Sequence, residues 1–352
     1  MNLYKSLIFI LYLGIFLGSG FRTPAQSRDS ITLYGTLDTV QVIRQRIQHA
    51  NEANAGARVT HISPAILQAN KTRSLAELLT DHTSIYIKSL GTGALSTASF
   101  RGTSASQTRV NWNGINITPP LSGTFDFSQI PVFFTDNINL YYGSSHVKNG
   151  TGAIGGSVNL FTDTDWNRGV NGRVLAEYGS YNTYTVGGQA NISGNKSASK
   201  TRLYYQHSDN DYTYLNKVLT NIPFREKRQD AAYSQFGIMQ EGYFRVSPYT
   251  RLTAVAWYQK NHRNLPQPLG VVNRSQEDQE ENNFRGYAGL DFSRGIHELH
   301  VKAAWLYFCQ TYDIRYAEVY SIPRETKTAL TRHRSWPIIR TPRPISLSST
   351  RR

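Results

Sequence analysis

Cysteine is almost absent: Cys309 is the only one in 352 residues, which excludes an intramolecular disulfide framework and any multi-cysteine metal site. Long apolar runs are scarce as well. The most apolar one, Leu7 to Leu17, is shorter than the roughly 20 residues a spanning helix needs, and the mean hydropathy of −0.44 argues against a helical membrane protein. Catalytic signatures are missing. The 9 His residues show no HExxH or other paired ligand spacing, and no nucleophile elbow, P-loop or dinucleotide fingerprint occurs, so nothing supports an enzyme. Acid is scarce beside base, with 24 Asp and Glu against 38 Lys and Arg and a net charge of +14. Much of that excess comes from a basic C-terminal stretch, and it does not by itself indicate nucleic-acid binding.

What is present divides the chain into five stretches. Residues 1–25 read as an export signal: Lys5, the short apolar run, then Thr23-Pro24-Ala25-Gln26 with small residues at the cleavage position. No Cys follows the run, so a lipid anchor is unsupported. Residues 26–58 are polar and charged, with a short extended stretch at Leu37–Val42. Residues 59–162 predict one small α+β domain, in which Leu75, Leu78 and Leu79 stand at helical spacing behind an N-cap at Thr72 or Ser74, followed by short β runs punctuated by glycine. Residues 163–325 change character to long strands of period two. Tyr184, Val186, Gly188, Ala190 and Ile192 alternate with Thr183, Thr185, Gly187, Gln189 and Asn191, and the segments from Phe284 and from Leu299 repeat the pattern. Periodicity alone fits a β-sandwich or a membrane barrel. Short turns at Ser247–Thr250 and Arg294–His297 alternating with long polar loops at 208–233 and 263–282 favour the barrel, whose periplasmic turns are tight and outer loops long. The small Gly179-Ser180-Tyr181 link is the exception.

The compact domain carries Ser74-Leu75-Ala76-Glu77-Leu78-Leu79, Phe100-Arg101-Gly102, Gln107 to Gly114, Ile130-Pro131, Tyr142-Gly143 and Gly152 to Leu160 in that order. This ordered set resembles the plug of TonB-dependent outer-membrane receptors. Taken singly, Asn113-Gly114 reads as a type I′ turn and Gly155-Gly156 as a bend admitting positive φ. The resemblance implies an α+β plug followed by an antiparallel transmembrane β-barrel, in the outer membrane and in contact with its lipid. It implies that Asp38, Thr39, Val40, Gln41 and Val42 form the segment gripped by a TonB-like energy transducer, by strand addition to the partner's sheet edge. It implies plug–barrel contacts for Arg101 and Arg109, for which ordinary solvated arginine is the competing account. It places ligand loops at Leu90, Gly91, Thr92 and Gly93 and at Pro119, Pro120, Leu121 and Ser122, which otherwise read as flexible turns. The run Ser122 to Pro131 is most similar to cobalamin receptors, making a corrinoid the first choice of cargo and an iron chelate such as a ferric siderophore the second. No resident cofactor is implied. Asp209, Asp211 and Asp230 are hard oxygen ligands that could hold calcium, against the plainer account of a solvated acidic turn.

The sequence departs from the family in two turns: Tyr141 to Ser145 stands where an Arg-Gly-Pro turn is usual, and Asn113-Gly114 where Asp-Gly is usual. Length is the larger departure. Plugged receptors have about 22 strands, whereas the residues after the linker suffice for roughly seven of about 9–11 residues each. An incomplete barrel is therefore expected, and truncation with it. Residues 326–352 are rich in Arg, Thr, Ser and Pro, lack acid and show no strand alternation; they read as an atypical basic tail of the kind translation out of frame would give. The rival readings are an exported ligand-binding or signalling module built on a plug-like domain, and a secreted β-sandwich adhesin.

Overall fold

The computed structural model describes residues 58–120, 122–143, 153–218, 223–269, 276–315 and 325–339. The export signal, the Asp38–Val42 segment, Leu121 and residues 340–352 lie outside them.

The first domain builds β1 (Arg58–His61), α1 (Pro64–Ala69), α2 (Leu75–His82), the hairpin β2 (Tyr86–Ser89) and β3 (Ser96–Ser99), then β4 (Thr108–Trp112), β5 (Ile115–Asn116), β6 (Asn137–Tyr142) and β7 (Gly156–Phe161). Ser74, not Thr72, caps α2: its side chain accepts from Glu77 N while Glu77 reaches back to Ser74 N, a reciprocal capping box. The helix then buries Leu75, Leu78 and Leu79. A five-stranded sheet runs in the order β1-β6-β7-β4-β5, with β4 and β7 parallel and the other pairs antiparallel. Asn113 and Gly114 both have positive φ and turn β4 into β5, as the type I′ reading requires. Gly155 and Gly156 do not have positive φ. They are small for another reason: a Cβ on Gly156 would stand 2.5 Å from the Tyr141 carbonyl oxygen.

The second part comprises β8 (Gly169–Gly179), β9 (Thr183–Ser193), β10 (Ser197–Ser208), the loop hairpin β11 (Thr213–Asn216) and β12 (Phe224–Lys227), then β13 (Tyr233–Ser247), β14 (Thr250–Asn264), β15 (Gln276–Arg294), β16 (His297–Arg315) and β17 (Glu325–Ile339). Eight strands form one antiparallel sheet in the order β17-β16-β15-β14-β13-β10-β9-β8. Among the described residues it is open and does not close into a barrel. The hairpin topology puts the tight turns 194–196, 248–249 and 295–296 at one end. The loops 209–232 and 265–275, and the small turn 180–182, lie at the other. That small turn closes through Tyr181 and Asn182, both at positive φ.

Although residues 326–352 show no strand alternation, β17 pairs with β16 from Glu325 opposite Arg315 to Ile339 opposite Val301. An unpaired strand edge offers a row of backbone donors and acceptors and can template pairing without side-chain alternation.

The alternation decides which face is which. Val174, Tyr178, Val186, Ile192, Leu203, Ile238 and Trp305 project outward and exposed, while Lys200, Arg202, Glu241, Gln259, Arg263 and Arg285 point inward and are buried. An apolar outer face with a polar inner face is the pattern of a membrane barrel wall, the reverse of a soluble sandwich. The plug packs on the inner face, and one continuous apolar core runs from Leu75, Phe100 and Val158 of the plug into Tyr204, Met239, Val255, Trp257 and Tyr287 of the wall.

Candidate functional site

Aromatic rings make the centre of the plug–wall contact. Plug Trp112 meets Trp257 at 5.4 Å and Tyr287 at 5.3 Å between ring centroids, and plug Phe134 meets Trp257 at 5.3 Å. Each such pair contributes about 0.5–1.5 kcal/mol beyond its buried area. Gly237 makes room for Phe134: a Cβ there would come within 2.6 Å of the ring. The consecutive Phe133-Phe134 after Ile130-Pro131 was the available signal for this contact.

Around the rings, wall donors meet plug acceptors. Tyr204 Oη donates to Thr72 O (3.1 Å), Gln235 Nε2 to Ser128 O (2.9 Å) and Lys302 Nζ to Asn113 O (2.7 Å). The ion pairs follow the same polarity. Wall Lys200 pairs with plug Asp136 at 3.0 Å, wall Arg202 also pairs with Asp136, and wall Arg263 pairs with plug Asp126 at 2.7 Å. Arg202 is fully buried and bridges onward to Glu241 at 3.2 Å. Burial pushes the Asp136 carboxyl upward, but the Arg202 and Lys200 charges outweigh it and hold the group at about 2. On the plug side, Lys71 donates to Thr135 O (2.5 Å) and Val132 O (3.4 Å). Burial draws its ammonium down to about 8, with Asp136 opposing and Arg202 adding to the fall.

On the plug side these ion pairs are made by Asp126 and Asp136. Arg101 is exposed in a turn with φ +49°, its guanidinium beside Gly143. Arg109 is half-buried on β4, opposite Ser157 of β7. Sequence reasoning named the plug cations and did not single out the plug acids: Asp126 lies within the run Ser122 to Pro131 and Asp136 just beyond it, and nothing local marks either as facing a wall arginine.

Both predicted ligand loops lie near the long-loop end of the wall. The Leu90–Gly93 loop tips β2 into β3; Gly93, with φ +70°, lies directly against the Tyr233 ring where no Cβ fits, and Asn210 Nδ2 donates to Thr92 O (3.0 Å). It borders a cleft of about 630 Å³ shared with Glu77, Gln206 and Tyr233. Pro119, Pro120 and Ser122 border a solvent-open cleft of about 970 Å³ against Arg263, Arg285 and Phe308 of the wall. Asp126 links the two loops: its Oδ1 accepts from Ser96 N (3.0 Å), Ser128 N (3.0 Å) and Ser128 Oγ (2.7 Å), while its Oδ2 accepts from Arg263.

The acidic residues of the outer loop are not gathered into a cation site. Asp209 accepts from His207 (3.0 Å) and Asn182 (3.1 Å), Asp211 pairs with Lys227 (2.6 Å), and Asp230 occupies a turn at positive φ. Among the described residues no three His, Cys, Asp or Glu side chains group as metal ligands.

Fold, order of motifs and plug-on-wall geometry point to one class: a domain similar to the plug of TonB-dependent receptors, followed by antiparallel strands that share the fold of such receptors' barrel wall. Residues 51–157 match the family described as the TonB-dependent receptor plug domain. The chain is 32% identical over 135 residues to the vitamin B12 transporter BtuB of Photobacterium profundum, which covers 38% of this chain and 22% of that protein. The BtuB of Vibrio cholerae El Tor Inaba is also 32% identical, over 126 residues, covering 36% and 20%. The chain thus spans about a fifth of the length of the curated relatives it matches. In fold it is similar to the Pseudomonas aeruginosa receptor FpvA bound to a ferric pyoverdine, with TM-score 0.58 and 15% identity over 79% of this chain and 38% of that one. The siderophore receptor PiuA of Acinetobacter baumannii gives TM-score 0.55 and 18% identity over 74% and 37%.

Proposed function

We propose that this chain belongs to a receptor that takes up a large, scarce nutrient across the outer membrane, with a corrinoid as first choice of cargo and a ferric siderophore as second. The observation that carries the reading is the plug seated on the polar inner face of an apolar-coated sheet, with a cleft between a plug loop and the wall at the long-loop end. The likeness in sequence to vitamin B12 transporters favours the corrinoid; the likeness to siderophore receptors extends over more of the chain but is one of fold.

On this reading cargo meets the loops at Leu90–Gly93 and Pro119–Ser122, a TonB-like partner grips Asp38–Val42 by strand addition, and a pull displaces the plug. Arg101 and Arg109, on the plug, are proposed to steady it against wall strands that follow those described. For the plug to move, the aromatic contacts and the Arg202–Asp136 and Lys200–Asp136 pairs must part, while Arg202 keeps Glu241 as its counter-ion. Deleting Asp38–Val42 from the receptor is expected to abolish uptake of radiolabelled cyanocobalamin or ferric chelate while leaving binding to cells unchanged. Uptake retained by the deletion would refute the mechanism.

A further inference from the structure

The cleft against Pro119–Ser122 holds a cation that the plug does not neutralise. Arg285 of β15 lines it and is only 2% exposed. Its Nη1 donates to the neutral Gln259 Oε1 (3.0 Å), its guanidinium lies over Trp257 (4.5 Å) and Phe308 (5.8 Å), and its Nε has no hydrogen-bond partner among the described residues. A buried guanidinium that makes no direct ion pair among the described residues, with Glu281 acting on it only through space, and that keeps an unsatisfied donor is an unfavourable arrangement that an oxyanion relieves. Arg263 lines the same cleft; it gives Nε and Nη2 to Gln279 Oε1 (3.1 and 3.0 Å) and Nη1 to Asp126 (2.7 Å). The fourth charged group there is Glu281, which accepts from Gln279 Nε2 (2.6 Å).

With Asp126 in place the two cations and two carboxylates balance, so an anion entering the cleft is favoured most when it takes over the role of Asp126. We infer that the cleft receives an oxyanion of the cargo, a phosphate or a carboxylate, between Arg285 and Arg263, and that this group competes with Asp126 for Arg263. The inference rests on the cleft being the cargo site. Because Asp126 also holds the backbone of Ser96 and Ser128, its release loosens both plug loops from the wall and converts occupancy into plug mobility.

The test titrates inorganic phosphate and citrate, separately and at constant ionic strength, into the full chain in detergent while hydrogen exchange is read at the Ser96 and Ser128 amides. Exchange at both is expected to rise saturably with at least one anion. Response to phosphate alone assigns a phosphate ester as the cargo's group, and response to citrate alone assigns a carboxylate. In Arg285→Gln the midpoint is expected to move up about tenfold, while Arg285→Lys, which keeps the charge, stays within a few-fold of the parent. An unchanged midpoint in Arg285→Gln, or no response of the two amides to either anion, overturns the inference. The uptake reading fails separately. Cells that take up neither corrinoid nor iron chelate, while the Arg285-dependent response persists, lose the uptake reading and keep the anion site. Uptake indifferent to both Arg285 variants, with no amide response, does the opposite.

Discussion

Lys71 illustrates how one buried side chain makes the plug sensitive to pH. Its ammonium donates to two backbone carbonyls and to no carboxylate among the described residues, so the fold favours its neutral form. Below about pH 8 the folded and unfolded chains both carry the proton. Between about 8 and the ordinary lysine value of 10.5 the folded chain has released it and the unfolded chain has not, so stability rises with pH in that window. Asp136 works at the other extreme. Its carboxyl is held at about 2 against an ordinary 3.8, so the stability it contributes is complete above 3.8 and disappears as pH falls towards 2. Chemical denaturation of the parent at pH 7.5, 8.5 and 9.5, below the range in which tyrosines of the unfolded chain ionise, is expected to show rising stability. In Lys71→Met the lysine-dependent part of that rise vanishes, and a parent curve that is flat or falling across this range contradicts the assignment.

At the scale of elements, the fit between β13 and the plug depends on an absence. Gly237 leaves a gap in the inward face of the strand, and Phe134 fills it. Gly237→Leu is expected to lower plug stability by about 1–3 kcal/mol through overpacking. Pairing it with Phe134→Ala should recover part of the loss, which a double-mutant cycle on thermal or protease resistance would read. Additive losses would mean that the two do not share a site. Elements were unevenly legible in the sequence. The α2 helix, the Asn113-Gly114 turn and the hairpins at 248–249 and 295–296 follow from local signals, a capping box, a dipeptide and interrupted alternation. Strand β15 begins at Gln276, inside the stretch expected to be loop, because its polar residues from Gln276 to Asn283 pair with β16 through the backbone. Strand β17 escaped notice for the same reason.

For the molecule as a whole, the direction of the alternation matters more than its presence. Leu203 sits midway along β10 on the exposed outer face, beside inward Arg202 and Tyr204. In the receptor's lipid environment Leu203→Arg is expected to destabilise by about 2–4 kcal/mol, and the same change at Ser197, on the same face at the strand end, by about 0–1 kcal/mol. Urea-dependent folding into lipid vesicles measures both. Equal and small effects would remove lipid from that face. The clefts belong to this scale too, since neither is formed by one element: Pro119 and Ser122 contribute one wall, Arg263 and Arg285 the other.

The sequence by itself determined the local elements, the order of plug motifs and the two-faced character of the long strands, because capping, turn chemistry and periodicity act between residues a few positions apart. Only the tertiary structure decided that the wall brings the cations and the plug the carboxylates. Asp136 meets Arg202 across 66 positions and Asp126 meets Arg263 across 137. Whether such pairs form depends on how the sheet's inner face receives the plug, a matter of register and packing that no local pattern encodes.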